Sequence, residues 1–360
     1  MLNVNIFGQY AFADLPSIAV ADLSQDDLYS QLQAFAAEES RMLSQLVAAV
    51  ADEGSNVKES FGYVAGGQLQ RIGEMAQPEA TRRGGKWDVA YPLYAWGDRK
   101  IYTPEYLERA SLADLNADVV EATLKDVNTV LAVVFDAFSN KTNKAYDDDP
   151  WPGDKTGAHT VRRLANADAQ VGYAYFNGQQ VALATAQHYK TSGAATIAVG
   201  AFETIRDTLQ AVGNGDDIVY FVSYNTGETL KGGTLGADFV PVPDPKLSIL
   251  PTVQTPIVAS PRAIGRVANG EVQVWPHFPD GYIFGYDRSK PRPVRVRIPT
   301  RAGDRGFRLV ADESRGGDRP GKPLVNKYWQ RIFGAGVRNR LNGVMMQITT
   351  SGAYTNPSLL

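Results

Sequence analysis

Cysteine is absent from this chain, which excludes disulfides, thiolate metal sites and cysteine nucleophiles. Histidine is scarce: only His159, His188 and His277 occur, and none has a partner at metal-ligand spacing. There is no Gly-x-Ser-x-Gly segment to place a serine nucleophile. No run of about 18 apolar residues occurs, and the start lacks a basic region followed by an apolar core. The chain is therefore expected to have neither membrane span nor signal peptide, and to be soluble and intracellular when made. No catalytic constellation, cofactor site or metal site is visible, which moves weight toward a binding or structural role.

What is present suffices for sizeable cores. The 360 residues are 44% hydrophobic and 10% aromatic, enough for two or three packed units. The net charge of -3 is unevenly spread. Arg288 to Arg340 holds fifteen Lys/Arg against four Asp/Glu, a net of +11, which leaves -14 for the remainder. Either these parts neutralise one another, within a chain or between chains, or the basic third forms a face toward nucleic acid.

Three short motifs resemble functional sites and fail on chemistry. Gly316 to Lys322 has the spacing of a phosphate-binding loop, but Pro323 stands where a magnesium-holding hydroxyl is needed. Asp154-Lys155-Thr156-Gly157 matches the phosphorylated aspartate motif of P-type ATPases without the membrane helices of those pumps. Asp147, Asp148 and Asp149 are adjacent, without the alternating spacing of a calcium loop, and read as a solvated acidic loop.

The longest helical pattern runs from Ser111 to Asn140. Ser111 and Asp114 form a candidate capping box, and Leu115, Val119, Val127, Val130, Leu131, Val134 and Phe138 fall on one stripe. Asn116, Glu121, Lys125, Asp126 and Asp136 are assigned to the opposite face. Such a helix is roughly 40 Å long and serves as a spine. Met1 to Leu23 has little period and is read as an extended arm. Ser24 and Asp27 open a second amphipathic helix, with Leu28, Leu32, Phe35, Leu43, Leu46 and Val50 on one face and Gly54 near its end.

Ser55 to Arg109 is glycine-punctuated and aromatic, with too few apolar residues for a domain of its own. It reads as a long two-armed loop whose tip carries Arg82, Arg83 and Lys86 beside Gly84 and Gly85. An arm of this kind lies on its own body or reaches onto a neighbour, where its three cations would meet an acidic surface. Tyr91 to Ala95 alternates as a strand, restricted to an edge by Pro92. After the spine, Thr160 to Asp168 suggests a short helix, and Val171 to Phe176 with Gln180 to Ala184 a hairpin around Asn177-Gly178. Phe202 to Val212 suggests a helix ending at Gly213, and Asp217 to Ser223 a buried strand. Proline-rich Pro241 to Pro261 is an extended connection. Four strands follow: Gly270 to Trp275, Tyr282 to Tyr286, Val294 to Ile298 and Gly306 to Val310. In the third, Val294, Val296 and Ile298 alternate with Arg295 and Arg297, giving one apolar and one basic face.

The order of parts, and above all Tyr328-Trp329-Gln330-Arg331, Phe333 to Arg340, Val344 to Ile348 and Gly352 to Pro357, resembles the major capsid proteins of tailed bacteriophages. That resemblance implies an α+β chain of the Hong Kong 97-like capsid fold. It implies an N-arm and N-terminal helix over 1–54, an E-loop over 55–110 and a P-domain with the spine helix over 111–194. An A-domain would cover 195–321, and 322–360 would return to the P-domain. It further implies a non-enzymatic protein without cofactor that forms hexamers and pentamers of an icosahedral shell around double-stranded DNA. The virion is its expected location, after assembly in the bacterial host cytoplasm. Portal, separate scaffolding and decoration proteins are the expected partners, and a membrane is not. The helix at Ser24 leaves no room for a removable scaffolding segment. The family's lysine-to-asparagine cross-link is not assigned to Lys86, Lys100, Asn339 or Asn356, since no motif matches. The nearest rival is an encapsulin-type nanocompartment shell protein, and a remoter one a metal-dependent hydrolase using Asp147 to Asp149.

Overall fold

The computed structural model describes residues 5–62, 86–100, 102–146, 159–165, 173–176, 179–182, 187–242, 261–311 and 323–359. Residues 5–23 fold down onto the body instead of extending as an arm. They run through two 3-10 turns, Leu15–Ser17 and Val20–Asp22, and bury Phe7, Leu15 and Val20. The backbone N–H groups of Ile6 and Val20 donate to the Asn116 side chain and the Ala110 carbonyl. Three buried apolar side chains offset the ordering cost that an extended segment would leave uncompensated.

Helix α1 (Gln25–Val47) starts where Ser24 accepts from the Asp27 amide and buries Leu28, Leu32, Leu43 and Leu46. It ends at Val47 and not near Gly54, because Ala51–Gly54 is drawn into strand β1, whose parallel partner lies far along the chain. Strands β2 (Lys58–Gly62) and β3 (Lys86–Ala90) form the stem of the two-armed loop as an antiparallel pair. Strand β4 (Tyr94–Asp98) and short helix α2 (Pro104–Arg109) lead to α3 (Leu112–Ser139). At its start Ser111 and Asp114 make the reciprocal capping box that the sequence promised. All seven stripe residues of α3 are buried, but so are Asn116 and Asp126, which had been assigned to the outward face.

Strands β5 (Lys144–Tyr146) and β6 (His159–Val161) pair antiparallel, so the start of the helix expected from Thr160 to Asp168 is extended. Buried Arg163 then turns back to donate to the carbonyls of Asp136, Ala137 and Thr142, satisfying orphan groups at the end of α3. Strands β7 (Tyr173–Phe176) and β8 (Gln179–Ala182) form the expected hairpin. Strand β9 (Tyr189–Thr191), helix α4 (Val199–Ala211), strand β10 (Ile218–Val222) and helix α5 (Tyr224–Lys231) follow, α4 giving way to Gly213 at φ 78°. The remaining strands are β11 (Val240–Pro241), β12 (Arg262–Val267), β13 (Gly270–Val274), β14 (Tyr282–Asp287), β15 (Val294–Arg297), β16 (Arg308–Ala311), β17 (Lys327–Val337) and β18 (Val344–Gln347).

Two sheets organise these elements. A five-stranded sheet runs β1-β15-β17-β16 with β4 also on β17, and a seven-stranded sheet runs β11-β12-β13-β10-β14-β18-β9. The eleven residues of β17 reach three partners because Gly334 and Gly336 let other chain segments come close; a Cβ on Gly334 would lie 2.3 Å from the Pro92 carbonyl oxygen. Helix α3 bridges the sheets. Its first half packs on Phe7, Leu15, Val20 and α1, while Phe135 meets Trp275, just past β13, edge to face at 4.9 Å and Phe138 stacks on Phe284 of β14 at 4.2 Å between ring centroids. Phe202, Ile205 and Leu209 of α4 cluster with Tyr220, Val222, Ile283 and Met346 in a separate core of the same sheet. The acidic run Asp147 to Asp149, the 154–157 and 316–322 motifs and residues 243–260 lie outside the described residues.

Candidate functional site

The two-armed loop is the feature whose composition points to a functional role. Its stem strands pair with each other and with neither large sheet. The body holds the stem through charge. Arg295 of β15 pairs with Glu59 of β2, Arg338 reaches the same carboxylate at 3.5 Å, and the Tyr91 hydroxyl donates to Glu59 at 3.0 Å. The Arg297 guanidinium donates to the Tyr91 carbonyl at 3.1 Å. Burial lowers the Arg295 pKa, and the neighbouring Arg338 charge adds to the effect. At the far end Lys86 stands opposite Gly62, so the chain enters the tip directly beside it. Arg82 and Arg83 lie outside the described residues.

This packing removes the basic face expected of β15. Val294 and Val296 are buried as foreseen, but Arg295 meets Glu59 and Arg297 is itself buried. Elsewhere in the basic third, Arg288 pairs with Asp217 at 2.9 Å, Lys290 with Asp216 at 2.9 Å, and Arg308 with Asp304 at 2.9 Å. Of the two readings of the charge imbalance, neutralisation within the chain accounts for these cations.

A second charged group lies in the interior. Arg331 of β17 donates through Nε to both Asp126 oxygens at 2.8 and 3.0 Å, and through Nη2 to Oδ2 at 2.7 Å and to Ser40 Oγ at 3.0 Å. Burial pushes the Asp126 carboxyl up while the guanidinium pulls it back. Glu39, also buried, is raised by burial and by the charges of Glu38 and Asp126. Sequence reasoning missed this pair although the spacing held the signal. Asp126 follows Val119 by seven residues and precedes Val130 by four, which puts it inside the apolar stripe. A carboxylate there needs a buried cation, and the Tyr-Trp-Gln-Arg run of β17 supplies one.

The histidines offer no reactive arrangement. His188 is buried and donates through Nδ1 to the Gly343 carbonyl at 2.6 Å, and desolvation lowers its pKa to about 4. His277 is lowered by burial. Among the described residues no three His, Cys, Asp or Glu side chains converge as a metal site, and no helix is long and apolar enough to cross a membrane.

No family model matches this sequence, and no curated protein matches it. Among solved structures, a chain of Mycobacterium phage Patience is similar over 96% of this chain and 94% of that one, with a TM-score of 0.68 at 18% identity. The capsid of Ralstonia phage GP4 is similar over 86% and 88%, at a TM-score of 0.47 and 12% identity. The capsid of the native GTA particle computed with C5 symmetry is similar over 85% and 90%, at 0.46 and 14%. At the level of the fold this chain is similar, from nearly one end to the other, to that chain of Mycobacterium phage Patience.

Proposed function

We propose that this chain is the major capsid protein of a tailed phage, assembling as hexamers and pentamers into an icosahedral shell that encloses double-stranded DNA. The observation that carries the reading is the nearly end-to-end fold match to the Mycobacterium phage Patience chain, which leaves almost none of either chain unaccounted for. A hairpin stem that pairs with neither large sheet fits the same reading, since an arm with no core of its own gains stability from contacts repeated over an assembly.

In these terms residues 1–54 are the N-arm and first helix, 55–110 the E-loop, 111–194 and 322–360 the P-domain around α3, and 195–321 the A-domain. The seven-stranded sheet recruits β9 and β18 from outside 195–321, which ties that unit to the P-domain. Arg82, Arg83 and Lys86 at the loop tip dock onto an acidic surface of an adjacent subunit. Portal, separate scaffolding and decoration proteins complete the particle. The virion is the protein's place of work, reached after assembly in the host cytoplasm. Light scattering across a concentration series, with and without a scaffolding partner, tests the reading. Capsomer-sized or shell-sized species are expected, and a strict monomer throughout would overturn it.

A further inference from the structure

Phe12 is 49% exposed, at the tip of a turn whose two ends, Phe7 and Leu15, are fully buried. The turn is fixed by hydrogen bonds from the Tyr10 amide to the Phe7 carbonyl at 2.9 Å, from the Asp14 amide to the Ala11 carbonyl at 3.0 Å, and from Asn5 Nδ2 to the Tyr10 carbonyl at 2.7 Å. The ring is therefore presented in one place, and little conformational freedom remains to be lost on binding. Ala11 and Ala13 beside it are small and exposed, and the exposed Asp14 follows on the same turn. Tyr94, Tyr224, Val240 and Val242 are also exposed, but Phe12 alone among them is a wholly apolar ring.

A cavity of about 450 Å³ opens between α1, residues 303–308 and β17. It falls within the range of pockets that enclose a small ligand or an anchoring side chain, roughly 300 to 1,000 Å³. Buried Leu43, Val47, Val130, Ile332 and Phe333 make its floor apolar, and exposed Arg41, Glu53 and Arg305 stand at its rim. Arg41 is held by Glu38 at 2.6 Å. Arg305 donates to the Pro299 and Thr300 carbonyls and meets no carboxylate among the described residues. An apolar floor beside one unneutralised guanidinium suits an aromatic side chain that carries a carboxylate close by.

We propose that Phe12 of one copy of this chain inserts into this cavity on an adjacent copy, with its Asp14 facing Arg305. The inference rests on the shell reading. Phe12 does not line the cavity of its own chain, so the contact joins two different patches. Such a head-to-tail interface propagates from copy to copy and closes into a ring or shell when the rotation allows. A buried aromatic anchor with a charged pair at its edge is the arrangement that concentrates binding energy at interfaces.

The absence of cysteine makes the test direct. The full-length single variants Phe12→Cys and Ala37→Cys, the second at an exposed cavity-lining position, are mixed, allowed to assemble and oxidised. A disulfide forms only when the two Cα atoms come within about 7 Å, so a linked dimer in the mixture, against background in either variant alone, is the expected result. Phe12→Ser should lower assembly yield roughly tenfold or more. Asp14→Arg and Arg305→Glu should each weaken assembly, and combining them in one chain should restore it. Shells without the cross-link or the rescue would overturn the docking and leave the shell reading standing. A cross-link without shells would support the docking and overturn the shell reading. Neither would overturn both.

Discussion

Replacing Asp126 with alanine tests whether the interior is organised as described. The carboxylate and its partner Arg331 have side-chain exposures of 6% and 10%, and of the four hydrogen bonds that the guanidinium donates among the described residues three end on Asp126. Truncation leaves a buried cation with only the Ser40 hydroxyl. Breaking a buried pair from one side costs about 3 to 5 kcal/mol, because the remaining charge is uncompensated. Replacing both partners with apolar residues of similar volume, as in Asp126→Leu with Arg331→Met, should restore most of that loss. Urea denaturation of the unassembled protein measures each cost, and the double-mutant cycle gives the coupling. The pair lies where α1, α3 and β17 meet, so the single variant should also lose assembly competence. A cost below about 1 kcal/mol for Asp126→Ala would show that the guanidinium is solvated and the geometry wrong.

Gly334→Ala should destabilise by about 1 to 3 kcal/mol in thermal melts, since its methyl would sit 2.3 Å from the Pro92 carbonyl oxygen and β17 must move. Asp287→Ala should cost about 2 to 4 kcal/mol, because the fully buried carboxylate accepts from the amides of Gly215, Asp216, Asp217 and Ser289. Burial pushes the Asp287 carboxyl up, but hydrogen bonds from Ser289, Gly215 and Asp216 outweigh it and hold the pKa below the ordinary value. Its contribution is therefore present above the unfolded aspartate pKa near about 4 and lost as the pH falls through the lower folded value. Denaturation midpoints across that acid range should fall for the wild type and show a shallower slope for Asp287→Ala. Replacing Arg82, Arg83 and Lys86 together with alanine should leave circular dichroism unchanged and weaken assembly, mimicking wild type at high salt. Shells formed at the wild-type rate and salt tolerance would refute the docking of the tip.

The elements read best from sequence were those whose signal is local. The cap at Ser111, the period of α3, the β7–β8 hairpin around Asn177-Gly178 and the buried run of β10 need only a few neighbouring residues to be recognised. Readings failed where a distant partner decided the outcome. Ala51–Gly54 looks like the end of α1, but its parallel pairing with Val294–Arg297 makes it a strand. Thr160 and Val161, read as the start of a helix, are held extended by Lys144–Tyr146. The alternating arginines of β15 suggested a basic surface, since nothing nearby in sequence announces that Glu59 and the Tyr91 carbonyl cover them. Asp126 differs, because its place in the stripe was countable and only its charge argued against burial. Of the candidate site, the stem was legible from its aromatic, glycine-punctuated pattern. Its ionic fastening was not, since β2, β15 and the end of β17 are brought together only by the fold.

Cryo-electron microscopy of the purified chain, alone and with a scaffolding partner, tests the central claim most directly. The account predicts closed particles whose reconstruction shows pentamers and hexamers, with the loop carried by the β2–β3 stem of each copy reaching onto a neighbour. Monodisperse single subunits at high concentration under both conditions, or particles in which that loop touches only its own subunit, would contradict it.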